Sequence, residues 1–205
     1  MTVEKRSPLA PLASELHAAG SPDVTLREVP FLAQVNLRID PADGAALSAV
    51  RATLGFPLPL APNTVSSSAD RRAVWLGPDE WLIVADAGEE AALERGLRSA
   101  LEGRFASVVD VSANRTTLEL AGPRSRDVLQ RGCALDLHPR AFGPGRCAQT
   151  VLARAQVVLE QRTAEPVYHV LVRPSFAAYL AAWLMDAMAE FAGAAVADGA
   201  AAVAG

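Results

Sequence analysis

The sequence holds a single lysine, Lys5; every other basic side chain is an arginine. A P-loop needs a lysine inside G-x-x-x-x-G-K-[ST], so that phosphate site is excluded. No G-x-G-x-x-G follows a strand-like run, which excludes a dinucleotide fingerprint as well. Histidine is scarce (His17, His138 and His169), and none stands at ligand spacing from another histidine or a cysteine. The two cysteines, Cys133 and Cys147, form no close pair and read as free buried thiols. Aromatic residues make up 5% of the chain, so its core must be aliphatic. Charge or proline interrupts every apolar stretch before it reaches membrane-spanning length, so no membrane partner is expected. Net charge is −4 with no basic stripe, which argues against nucleic acid. Met1 to Arg6 carries charge and no apolar run; a secretory signal is not expected there, and a cytoplasmic location is.

What is present is alternation. The 205 residues fit one large domain or two small ones. The stretch Val108 to Pro123 reads as the end of one strand, a polar break at Ser112 to Asn114, and a second strand over Thr116 to Leu120. Gly122-Pro123 stops that strand and opens a helix. This seam divides two similar halves.

Before the seam, Ala33 to Ile39 alternates as a strand, and Asp40-Pro41 is read as the cap of a helix on Ala46, Leu47, Val50 and Leu54. Phe56 to Asp70, with three prolines, reads as a loop. Ala73–Leu76 and Glu80–Val84 form a hairpin around Gly77-Pro78-Asp79, followed by an amphipathic helix over 89–101 and a strand over 105–111. The order strand, helix, strand, strand, helix, strand is the split βαβ, or ferredoxin-like, unit. After the seam the same order recurs with less evidence for a last strand. Its final helix is read with Phe176, Leu180, Trp183, Leu184, Met188 and Phe191 on one inward face. The expected organisation is α+β. It has a docking segment over 1–22, a first ferredoxin-like unit over 23–112, a second over 113–191, and a disordered Ala-rich tail over 192–205.

Candidate chemistry is thin. Cys133, Asp136 and His138 could suggest a nucleophile, an orienter and a base, but they read better as residues shaping a loop. Asp79-Glu80 occupies a hairpin turn, where aspartate is a good turn residue. Trp75 and Trp81 flank it as core or interface anchors.

Several motifs in order carry a family resemblance. They are Trp75-Leu76-Gly77-Pro78-Asp79-Glu80-Trp81-Leu82, Asp110-Val111-Ser112 with Arg115-Thr116, Gly132-Cys133, Leu135-Asp136-Leu137-His138-Pro139 and Cys147-Ala148-Gln149-Thr150. Pro30-Phe31, Gln34-Val35-Asn36-Leu37-Arg38 and Arg173-Pro174-Ser175-Phe176-Ala177 complete the set. Together they resemble the γ subunits of heterotetrameric sarcosine oxidases over about residues 7 to 191. The resemblance implies two tandem ferredoxin-like units similar to the folate-binding domain of aminomethyltransferases. It implies α, β and δ subunits as partners, and oxidative demethylation of sarcosine with tetrahydrofolate as one-carbon acceptor and oxygen reduced to hydrogen peroxide. It also implies FAD, FMN, NAD, zinc and tetrahydrofolate in the other subunits, with no cofactor, catalytic residue or metal assigned to this one. In folate-dependent relatives a strand of the second unit carries a catalytic acid. The matching strand here, Ala155 to Leu159, has no carboxylate before Glu160. The expected interface residues are Trp75, Asp79, Glu80, Trp81, Arg115 and Thr116. The rival readings are a stand-alone folate-binding module and a subunit of a sibling enzyme acting on another N-methyl amino acid.

Overall fold

The computed structural model describes residues 5–192. The expected disorder of the tail falls outside these residues from position 193 on, as do the first four residues of the docking segment. A 3-10 turn (Ala10–Leu12) runs into α1 (Ala13–Ala18). Then follow β1 (Thr25–Val29), β2 (Ala33–Ile39), α2 (Gly44–Leu54), β3 (Val65–Ser68), β4 (Arg71–Gly77), β5 (Glu80–Ala85), α3 (Glu90–Ala100) and β6 (Ala106–Asp110). The chain continues with β7 (Thr116–Ala121), α4 (Ser125–Gln130), β8 (Cys147–Leu152), β9 (Ala155–Gln161), β10 (Val167–Val172) and α5 (Pro174–Ala192).

The first compact unit comprises Pro30–Arg115 with Gly145–Gln149. Its sheet has the order β3-β4-β5-β2-β6, and its pairings are antiparallel. Without β3, the order within the unit is second, third, first, fourth, which is the ferredoxin-like arrangement. Alternate residues of β2 and β5 (Val35, Leu37, Trp81 and Ile83) face the buried stripes of α2 and α3 (Val50, Leu54, Leu93 and Leu97). Asp43, not Asp40, caps α2, taking hydrogen bonds from the Ala45 and Ala46 amides at 3.0 and 2.9 Å. Asp40 instead holds the preceding turn through the Ala42 amide. The expected loop over 56–70 contains β3, which begins after the last of the three prolines. The Val65 amide donates to the Gly145 carbonyl and the Cys147 amide to the Asn63 carbonyl, so this edge is covered.

The second compact unit comprises the chain up to Val29, Thr116–Pro144 and the chain from Thr150. Its sheet has the order β1-β7-β10-β9-β8. This repeats the first sheet position for position, with one difference from the expected first unit over 23–112, which included β1. The fourth strand of the second unit is β1, from near the N-terminus, antiparallel to β7 with Thr25 opposite Ala121. The last strand that seemed weak after the seam therefore precedes the first unit in sequence.

Two glycines let the second unit close. Gly122, at φ +113°, sits where a Cβ would lie 2.5 Å from the Asp23 carbonyl oxygen. Its amide donates to the Pro166 carbonyl, and the Arg124 amide donates to that of Asp23, so the entrances to β1 and β10 meet at the end of β7. Gly132, after α4, lies where a Cβ would approach the Trp183 ring of α5 to 2.6 Å.

The buried face of α5 keeps the expected Leu180, Leu184 and Met188 but not Phe176. Ala177, Leu180, Ala181, Leu184, Ala187 and Met188 are buried, whereas Phe176 is 43% exposed.

Candidate functional site

The β4–β5 hairpin was the main sequence candidate. Trp75 and Trp81 are register partners across it. Trp81 is fully buried, and its indole N–H donates to the Pro59 carbonyl at 2.8 Å. That satisfies its one polar group inside the first unit's core, so Trp81 has no surface to offer a partner. Trp75 is half-buried against the same core. Asp79 receives both its hydrogen bonds from Arg38 of β2, at 2.9 and 3.2 Å. Glu80 accepts from the Asn36 amide nitrogen at 2.8 Å. The acidic turn is thereby braced onto β2.

The seam residues divide between the units. Arg115 ends the first, where its carbonyl accepts from the buried Gln34 side chain at 2.8 Å. Thr116 opens β7 of the second, is buried, and donates its hydroxyl hydrogen bond to Glu28 of β1, a carboxylate that also accepts from Ser7. Thr116 thus anchors the N-terminal strand and presents no surface.

The Cys133–Asp136–His138 segment shapes a loop. The His138 amide donates to Asp136, and the His138 ring nitrogen Nδ1 accepts from the Arg140 amide at 3.2 Å. Both cysteines are buried.

One constellation escaped the sequence reading. Arg27, Glu119, His169 and Glu160 are register partners across β1, β7, β10 and β9, so they form one row on one sheet face. Arg27 Nε lies 2.7 Å from Glu119 Oε1, and His169 Nε2 lies 3.2 Å from Glu119 Oε2. Hydrogen bonding by His169, then by Arg27, holds the Glu119 carboxyl well below its usual range, to about 2, against the opposing effect of burial. Glu160 is 1% exposed and pairs with Arg162 at 2.8 Å. It lies within β9, so the strand matched to the folate-dependent relatives does carry a carboxylate, one residue past Leu159. Each of the four strands carries one ionisable residue of the row, but the row is visible only once the register is known.

The row's chemistry is that of a structural tie. A general base works best with a pKa near the operating pH, and Glu119 is far from it. Glu160 is neutralised by its arginine in a buried position, where an unpaired carboxylate would be costly. Among the described residues, no group of three or more His, Cys, Asp or Glu is arranged to hold a metal ion. No helix among them is long and apolar enough to cross a membrane.

The architecture defines the class first. Two tandem ferredoxin-like units also occur in the glycine cleavage system aminomethyltransferase T from Bartonella henselae. The similarity has a TM-score of 0.61 at 17% identity and covers 85% of this chain and 49% of that one. At that identity the likeness is one of fold. The α+β class with two ferredoxin-like units expected from sequence is the architecture found.

The relatives are more specific. Residues 38–190 match the family described as sarcosine oxidase, gamma subunit family. The sarcosine oxidase subunit gamma of Corynebacterium sp. (strain U-96) is 44% identical over 197 residues, covering 94% of each chain. That of an Arthrobacter species is 46% identical over 191 residues, covering 92% of each. A chain of the heterotetrameric sarcosine oxidase from Corynebacterium sp. U-96, solved with pyrrole 2-carboxylate, superposes with a TM-score of 0.85 at 42% identity. It covers 93% of this chain and 97% of its counterpart. This chain belongs to the sarcosine oxidase γ subunit family.

Proposed function

We propose that the chain is a non-catalytic subunit that assembles with α, β and δ chains into a heterotetrameric sarcosine oxidase. The complex oxidises sarcosine to glycine, reduces oxygen to hydrogen peroxide and passes the one-carbon unit to tetrahydrofolate as a methylene group. The observation that carries this reading is the end-to-end likeness, at 42% identity, to a chain of a heterotetrameric sarcosine oxidase. The state of this chain's polar groups supports the non-catalytic part. Glu119 is held ionised, Glu160 is paired, the cysteines are buried, and the hairpin acids are braced onto β2. Glu119, at the centre of the row, is far from the pKa a general base needs. The folate-domain scaffold is accordingly read as retained for assembly. FAD, FMN, NAD and zinc are assigned to the other subunits, together with the tetrahydrofolate site.

Co-purification tests this. The tagged chain is expressed alone and with the candidate α, β and δ chains, and mass by light scattering is recorded with the visible spectrum. A colourless chain alone and a yellow heterotetramer together are expected. A chain that stays apart from the other three overturns the reading. Tetrahydrofolate bound by the isolated chain at micromolar concentration would overturn the assignment of folate elsewhere.

A further inference from the structure

A surface helix normally shows an apolar stripe to the core and charge to water. α3 follows the rule: Leu93 and Leu97 are buried, and Arg95 and Arg98 are exposed. α5 does not. From Pro174 to Met185 it carries no charged side chain. Yet Phe176, Ala178, Tyr179 and Ala182 are exposed along that stretch. A helix apolar on all sides belongs in an interior. Among the described residues, this one is covered on one side only.

The exposed side is also shaped. Phe176 and Tyr179 are 43% and 40% exposed, and their rings meet edge to face at 6.4 Å and 85°. Half-buried Trp183 continues the stripe one turn beyond. Ala178 and Ala182, four residues apart, leave a shallow strip beside the aromatics where another backbone can approach. Aromatic side chains without charge are the composition of an interface core.

Area and charge indicate the occupant. At 1.5 Å per residue, a helix of 19 residues is about 28 Å long, and its outward face offers about 300 Å². A specific interface takes about 800 Å² from each partner. Two copies meeting α5 to α5 alone fall well short, so this face is one part of a larger contact, of the kind the other chains of a heterotetramer can supply. The first charge along the stripe is Asp186, exposed and in no ion pair among the described residues. The covering segment is therefore apolar opposite Phe176 to Trp183 and basic opposite Asp186.

We infer that the outward face of α5 is a docking face for another subunit of the oxidase, taking an apolar helix with a basic residue at one end. The inference rests on the subunit reading above. It is tested by co-expressing all four chains with the doubly substituted Ala178→Glu/Ala182→Glu chain, both positions being exposed and the helix propensity nearly kept. The wild-type chain is expected in the complex. The double variant, folded by circular dichroism, should be retained at least tenfold less. Hydroxyl-radical footprinting of the unaltered complex gives a second readout, in which Phe176 and Tyr179 should become protected on assembly. A wild type that does not assemble defeats the subunit reading, and this inference with it. A wild type that assembles while the double variant joins equally well defeats this inference alone, as does unchanged reactivity of both aromatics. A free chain that runs as a dimer broken by the double substitution also overturns it, since the occupant is then a second copy.

Discussion

β6 and β1 hold the same place in two similar sheets, each as the fourth strand beside the first. They reach it by different routes. β6 follows α3 directly, so the helix that packs on the sheet also delivers the strand. β1 comes before everything it pairs with. Loop length does not separate them: Thr25 meets Ala121 and Ala106 meets Ile39, and closure entropy grows only with the logarithm of separation, a difference of a few tenths of a kcal/mol. What separates them is the kind of side-chain attachment. β1 is tied by Arg27 to Glu119, by Glu28 to Thr116 and Ser7, and through Asp23 to the Arg124 amide. β6 is tied to β2 through Ser112, whose hydroxyl donates to Asp110 and accepts from the Gln34 amide, and the ion pair of Arg104 with Asp43 lies in the connection before it. β1, led in only by the short helix α1, is held by charge and hydroxyl contacts as well.

That contrast can be broken most severely by deleting residues 1–29. The second sheet then loses an edge strand and its buried Leu26, and hydrogen exchange should show β7 and β10 unprotected while β2 and β5 keep their protection. Protection lost equally in both sheets would make the two units one cooperative block. Trp81→Ala comes next, with a loss of about 3–5 kcal/mol in chemical denaturation, because a fully buried indole and its bond to Pro59 both go. Trp75→Ala should cost clearly less, as that ring is only half-buried. Gly122→Ala should lose roughly 2–3 kcal/mol through backbone strain and collision with Asp23, and should loosen β1 first. Glu119→Gln is the mildest, about 1–2 kcal/mol at pH 7 with solvent screening allowed for. The folded carboxyl titrates near 2 against a usual 4.5, so its contribution is present above about 4.5 and fades as the pH falls from there toward 2. Melting of wild type and variant should therefore converge between pH 4.5 and 2. A gap that persists at pH 2 would mean that the charge does not matter.

Much of this was legible in the residues. Alternation from Ala33 to Ile39 and the Gly77-Pro78-Asp79 turn located β2 and the hairpin, because periodicity and turn chemistry are local. Non-local facts were not legible. Nothing in Thr25 to Val29 says that its partner is β7, since register is set by the completed sheet. Asp40 and Asp43 both suit a cap, and the choice depends on where the helix axis meets its neighbours. In α5 the eye follows large side chains, so Phe176 was turned inward. Half of the core face is alanine (Ala177, Ala181 and Ala187), which lets the helix sit close to its neighbours. The Arg27–Glu119–His169 row was invisible for the same reason as β1's partner: its members share no stretch of sequence.

The position of β1 also has a consequence in time. Thr25 is synthesised 96 residues before Ala121, beside which it will lie. At roughly 5–20 residues per second, the strand leaves the ribosome about 5–20 s ahead of its partner. All four ferredoxin strands of the first unit have been made in that interval. The nascent chain therefore carries Leu26 on an unpaired strand until translation has passed the seam. A message cut short before Ala121 would leave that edge exposed for good, which marks the fragment for degradation rather than assembly.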